Sequence, residues 1–290
     1  MKAKLIPFFA PLAASLALAG CSPDEAPGAG AACATGETRA AIVTALGFTR
    51  TTEAGLAPGF DLDNRVSDGS DVESCGKKDF ADADGRTGID NQLASLVPEV
   101  EKLVGNAVDG LVQGAINDGQ LVILMEMAGV DDFENDSCVS LAVQVGEKRP
   151  PSLGTDGVIE AYQTFELDAS AERSYVEGAR IENGVLETGP FGLAVPLALF
   201  DVSFTLHLHD ARFRFSIDEE GMMKGHLGGG IVPQEILDGV SQGAGTEDLI
   251  PQIRVVLESS ADLALDEDTG KCQEVSSALQ FEAAPAFIRR

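Results

Sequence analysis

Hydrophobic and polar residues alternate with period two most clearly between Val202 and Asp218. Val202, Phe204, Leu206 and Leu208 share one parity; Ala211, Phe213, Phe215 and Ile217 share the other, so the switch falls at His209-Asp210. One inserted residue turns every later side chain to the opposite face, so the switch demands a turn or a bulge. His-Asp is a poor two-residue hairpin turn, which favours the bulge. After a turn at Asp218 to Gly221, Met223 to Ile231 returns as a glycine-rich strand. Further strands are expected in "TRAAIVTALGFTR" (38 to 50), "CVSLAVQV" and the closing "CQEVSSALQFEAAPAF". The unbroken run "LVILM", Leu121 to Met125, suits a strand covered on both faces. Asn183-Gly184, between "SYVEGARIE" and "VLETGP", signals a hairpin because both turn positions take positive φ.

Other stretches carry helical spacing. Ile89, Leu93, Leu96, Val97, Val100, Leu103 and Val104 recur every three or four positions, with Pro98 expected to kink or end the first turns. A second piece carries Val108, Leu111, Val112 and Ala115 and stops near Asn117-Asp118-Gly119. Downstream, one helix opens at Pro233 and another near Thr246, with Glu247 and Asp248 at its positive end. No internal repeat is visible. The pattern predicts an α+β fold, mostly antiparallel β, a sandwich or half-barrel with two helical inserts, in one domain over residues 36–290.

The first residues belong to none of this pattern. Lys2 and Lys4 precede "LIPFFAPLAASLALAG", an uncharged run broken by Pro7 and Pro11 and shorter than the ~20 residues of a spanning helix. Residues 1–20 are expected to be a cleaved signal. Leu18-Ala19-Gly20-Cys21 resembles the lipobox of bacterial lipoproteins, in which the cysteine becomes the acylated first residue of the mature chain. That resemblance implies lipidation at Cys21. Ser22, where an Asp would imply inner-membrane retention, points to the outer membrane, periplasmic or surface-facing. The acyl chains, palmitate among them, would then anchor the protein, each buried CH₂ adding ~0.8 kcal/mol. Residues 21–35, rich in Pro, Gly and Ala, read as a flexible tether.

Composition narrows the partners. The net charge is −27, and removing residues 1–20 takes two lysines and no acid, leaving −29. Such a chain repels phosphate backbones, so nucleic acid is excluded and divalent cations become natural partners. With 44% apolar residues the chain can bury a substantial core. Beyond Cys21, Cys33, Cys75, Cys138 and Cys272 form an even set, expected as two structural disulfides in an oxidising compartment. Three pairings are open.

The stretch "DFADADGRTGIDNQ" holds the strongest candidate chemistry. Asp79, Asp82, Asp84 and Asp90, with Gly85 and Gly88 where the chain must turn, offer oxygen ligands in an order that suits calcium. The stretch is not an EF-hand: with Asp82, Asp84 and Gly85 in register, Phe80 occupies the first ligand position and Asn91 the place of the bidentate Glu. Asp61 and Asp63 would add ligands if Cys75 or another tie folds their loop back. The alternative is that Asp90 caps a helix starting at Asn91 while Asp82 and Asp84 form turns. A hydrolase using Asp79, Asp82 or Asp90 is a third reading.

His207 and His209 share a strand face, but Arg212 and Arg214 follow at once. Folded as hairpins, the strands would set His207 opposite Arg212 and His226 opposite Arg214, so a solvated polar face is expected rather than a zinc or copper site. Those arginines are expected to pair with carboxylates. Gly239-Val240-Ser241-Gln242-Gly243 fits the nucleophile-elbow spacing, yet the serine follows a helix and no histidine lies after His226, so it reads as a helix end.

The block "GFDLDNRVSDGSDVESCGKKDFADADGRTGIDNQLASLVP", with "HDARFRF", "GHLGGGI" and "LQFEAAPAF", resembles uncharacterised acidic lipoproteins of myxobacteria and their relatives. The resemblance implies a shared architecture and an envelope setting, and no activity. The expected function is a non-enzymatic binding or surface-structural module, calcium-stabilised; a carrier of an apolar ligand is the alternative, prompted by the glycine-rich strand after "FRFSIDEEGMM" and by Leu193, Val195, Leu197 and Leu199.

Overall fold

The parity switch at His209-Asp210 is a bulge inside one long strand. Asp210 sits at φ 49°, and the register to the neighbouring strand shifts beside it, so Val202 to Ile217 stays continuous while its inward face changes parity. The computed structural model describes residues 36–104, 108–199, 202–243 and 250–290. The expected signal (1–20), the tether (21–35) with Cys21 and Cys33, and the helix start near Thr246 lie outside the described residues.

In chain order the described strands are β1 (Glu37–Phe48), β2 (Phe80–Ala81), β3 (Thr87–Ile89), β4 (Ile123–Val130), β5 (Asn135–Val145), β6 (Gln163–Glu166), β7 (Ser174–Glu182), β8 (Val185–Leu199), β9 (Val202–Ile217), β10 (Met223–Ile231), β11 (Leu263–Asp266) and β12 (Lys271–Arg289). The helices are α1 (Leu93–Val104), α2 (Val108–Asn117), α3 (Pro233–Ser241) and α4 (Ile250–Glu258). The fold is α+β with a mostly antiparallel sheet, as the alternation predicts. The half-barrel goes further and closes. β1, β4, β5, β7, β8, β9, β10 and β12 pair antiparallel in that order, and β12 pairs back onto β1 from Ala40↔Ala286 to Phe48↔Leu279.

A closed barrel of this strand number has room inside for side chains or one small ligand. Here side chains fill it. Phe213, Phe215 and Phe281 meet edge to face with centroids 5.6 to 6.3 Å apart. Phe213 and Phe281, with Leu46, Met125 and Leu193, line a void of only about 10 Å³. Both helical inserts leave the barrel at the same end, because β1 and β10 run in the same direction around the ring. All four helices contribute to the apolar layer over that mouth: Leu93, Val108, Val240 and Leu257 face Phe48 and Ile231 across a cavity of about 100 Å³.

Local signals account for most boundaries. β4 is buried along nearly its whole length, as "LVILM" predicts. Asn183 at φ 53° and Gly184 at φ 75° turn β7 into β8. Gly119 at φ 66° follows α2 and its N–H bonds the Ile116 carbonyl. Pro98 lies inside α1, which continues to Val104. Pro233 opens α3, and the Gly239–Gly243 segment is its C-terminal end, where the Gln242 N–H bonds the Gly239 carbonyl. Arg50 clamps the first insert to β1: its guanidinium donates to Glu101 and Asp109, each at 2.6 Å, while the Phe48 N–H donates to Asp109 at 3.0 Å. The hairpin pairing of the histidines holds in part. His226 faces Arg214, but His207 faces Ala194, because the bulge keeps β9 extended instead of folding it back on Arg212.

Candidate metal centre

The segment between β1 and α1 packs on the outer wall of the barrel over β9, β10 and β12. A glycine makes this approach fit: a Cβ on Gly228 would stand 2.8 Å from the Phe60 ring and 2.7 Å from the Ser277 carbonyl. Phe60 in turn lies under the Arg214 guanidinium, 5.1 Å from ring centroid to Cζ. The disulfide Cys75–Cys272 ties the far side of the segment to β12 across 197 residues. Cys138 is disulfide-bonded as well.

With the loop held down, Phe60 bridges to Asp90, whose N–H donates to the Phe60 carbonyl at 2.8 Å. The Asp90 carboxylate, 2% exposed, accepts on Oδ2 the N–H groups of Leu62 at 2.6 Å and Asp63 at 3.3 Å. This brings Asp61, Asp63 and Asp90 together, with one ligand oxygen from each within 4.8 Å of the others. Gly88 is required here. It sits at φ 73°, and a Cβ would stand 2.5 Å from the Arg65 carbonyl and 3.4 Å from the Asp61 carboxylate.

The expected ligand set is therefore redrawn. Asp82 and Asp84 do not join Asp90, because Arg86 claims them: its Nε donates to Asp82 at 2.5 Å and its Nη2 to Asp84 at 2.8 Å. Asp82 also accepts the backbone N–H groups of Asp84 and Arg86, the turn-forming role that its spacing allows. Asp79 accepts the Ser67 N–H at 2.5 Å and lies close enough to Asp63, Asp71 and Asp61 to feel their charge. The helix cap shifts by one residue. Asn91, fully buried, uses all its polar capacity: Oδ1 accepts the Ala94 and Ala278 N–H groups, and Nδ2 donates to Thr49 and Pro58. Asp90 is left free to face Asp61 and Asp63.

Negative charge dominates at this point, offset at Asp63 by the nearby charge of Arg65. Burial raises the Asp90 pKa to about 8, against hydrogen bonding from Leu62 and with added push from Asp63, Asp79 and Asp262. Burial likewise raises Asp63 and Asp79, and lifts Asp262 to about 7 although Ser276 donates to it twice. Among the described residues no Lys or Arg forms an ion pair with Asp61, Asp63 or Asp90. Each keeps a carboxylate oxygen that accepts no hydrogen bond there. A hard cation that accepts oxygen ligands at 2.3–2.6 Å spans such a triad, since two ligands on opposite sides of calcium stand about 5 Å apart.

The histidines have other partners. His207 sits between Glu235 at 3.2 Å and Glu172 at 3.3 Å, and His209 pairs with Glu274, so the outer face of β9 is polar and partly exposed. Arg214 pairs with Glu187, as the excess of carboxylates predicts. Arg212 does not: its Nη2 donates to the Leu62 carbonyl at 3.5 Å, and its Nε is buried without a partner among the described residues. No family model, curated protein or solved structure matches this chain.

Proposed function

We propose that the chain is an exported lipoprotein, anchored through Cys21 in the outer membrane, whose barrel serves as a non-enzymatic binding or surface-structural module stabilised by calcium. The observation that carries the calcium reading is the convergence of Asp61, Asp63 and Asp90, none of them ion-paired to a Lys or Arg among the described residues. Asp79 stands behind them as an added source of negative charge. A disulfide that joins this segment to β12 supports an oxidising setting, and the lipobox resemblance supports the anchor. Calcium here holds the outer segment against the wall that Phe60 and Gly228 already bring together. Melting of the mature protein in calcium and in chelator is the test: a calcium-dependent rise in Tm supports the ion, and identical curves remove it. Incorporation of labelled palmitate, lost in Cys21→Ser, tests the anchor separately.

The second reading, a carrier of an apolar ligand, has one observation in its favour: the wholly apolar cavity under the helices. At about 100 Å³ it accommodates only a few methylene groups unless the helices part. Lipid extraction of the purified protein followed by mass spectrometry tests it.

A further inference from the structure

A groove of about 760 Å³ lies between the Asp61–Asp90 segment and the outer face of β7, β8 and β9. Its volume is that of a small-molecule site. Four guanidiniums line it, from Arg86, Arg180, Arg212 and Arg214, in a chain of net charge −27 that has 20 basic residues in all. Two are already paired, Arg86 with Asp82 and Asp84, and Arg214 with Glu187. Arg180 and Arg212 form no ion pair among the described residues, although acidic residues outnumber basic ones by more than two to one. Arg212 is partly buried: its Nη2 donates to the Leu62 carbonyl at 3.5 Å and its Nε has no acceptor among the described residues, so no carboxylate neutralises its charge. Arg180 sits two strands away, on β7 across β8, opposite Glu187, which Arg214 already engages. A guanidinium fork matches a carboxylate or a phosphate in two parallel hydrogen bonds.

The acids of the groove set the rest of the ligand. Glu177 and Glu182 on β7 and Asp61 and Asp84 on the opposite bank would repel a polyanion. They would attract an ammonium or accept hydroxyls a few ångströms from the oxyanion. We infer that this groove binds a small zwitterion, its oxyanion held by Arg212 and Arg180 and its cationic end by the glutamates of β7. This rests on the binding-module reading and names its ligand class; it does not require the ion.

The test uses the mature protein with NMR titration of 6-aminohexanoate and glycyl-lysine, against acetate, inorganic phosphate and heparin. Expected are shifts confined to the groove for the two zwitterions, with acetate and phosphate binding at least tenfold more weakly, and at least tenfold loss in Arg180→Gln and in Arg212→Gln. Arg180 is exposed, so its variant keeps the test valid if Arg212→Gln fails to fold. Absence of zwitterion binding at about 10 mM, equal binding in Arg180→Gln, or preference for heparin would each overturn the assignment. A calcium titration of Arg180→Gln runs alongside: retained calcium stabilisation with lost zwitterion binding separates this site from the metal centre, and failure of calcium alone touches only the metal.

Discussion

Replacing Asp90 with Asn should stabilise the metal-free protein at neutral pH and abolish its response to calcium. Asn keeps an acceptor for the Leu62 N–H and removes the charge that burial disfavours. The folded-state pKa is raised to about 8 from the ordinary 3.8. The folded protein therefore holds the proton more tightly than the unfolded chain. The Asp90 contribution is fully present below pH 3.8 and is lost as pH rises towards 8. At pH 7.5 that loss is about 5 kcal/mol, using 1.36 kcal/mol per pH unit. At ~2 °C per kcal/mol for a body of this size, Asp90→Asn in chelator should melt ~10 °C above wild type at pH 7.5 and near it at pH 4. Calcium at a thousandfold its Kd restores ~4 kcal/mol to wild type and nothing to the variant. Scanning calorimetry at both pH values, with calcium and with chelator, reads all four terms. Comparing variant with wild type cancels the many carboxylates that titrate in both. A wild-type Tm unchanged by calcium, or a variant that still gains stability from it, would refute the reasoning.

Other consequences follow from single contacts. Cys272→Ser opens a loop closed across 197 residues and should cost ~5 kcal/mol by chain entropy, seen as a lower midpoint in urea. Proton NMR should find His209 titrating above its ordinary value because Glu274 bonds it, and His226 below because burial disfavours its charge; Glu274→Gln should lower His209 alone. Phe215→Ala, inside the filled barrel, should cost ~3–5 kcal/mol without changing calcium affinity, measured by denaturation and calorimetry. Arg50→Ala should cost ~2 kcal/mol by releasing Glu101 and Asp109 together, and should raise amide exchange in α1 and α2 first.

Features set by neighbouring residues were legible in the sequence. The bulge at Asp210, the Asn183-Gly184 turn and the end of α2 at Gly119 each need only a local pattern. Barrel closure was not, because it depends on β1 meeting β12, strands about 240 residues apart that carry no mark of each other's register. The metal centre was half legible. The sequence singled out Asp90, and it named Asp61 and Asp63 as extra ligands if a tie returned their loop. Asp82 and Asp84 looked equivalent to Asp90 by spacing, but Arg86 lies within reach of both and the β2–β3 turn points them at it. Asn91 displaced Asp90 as the helix cap because a buried amide there satisfies four hydrogen bonds, where a carboxylate accepts but donates none. The arginine groove gave no signal, since Arg86, Arg180 and Arg212 come from three distant segments.

Isothermal titration of the mature protein with calcium at pH 7.5, repeated in buffers of different ionisation enthalpy, tests the central claim most directly. One ion should bind per chain with release of about three-quarters of a proton, that of Asp90, and Asp61→Asn and Asp63→Asn should each weaken it at least tenfold, while Asp84→Asn leaves it unchanged. Calcium that fails to bind, or binds without proton release and depends on Asp84, would contradict it.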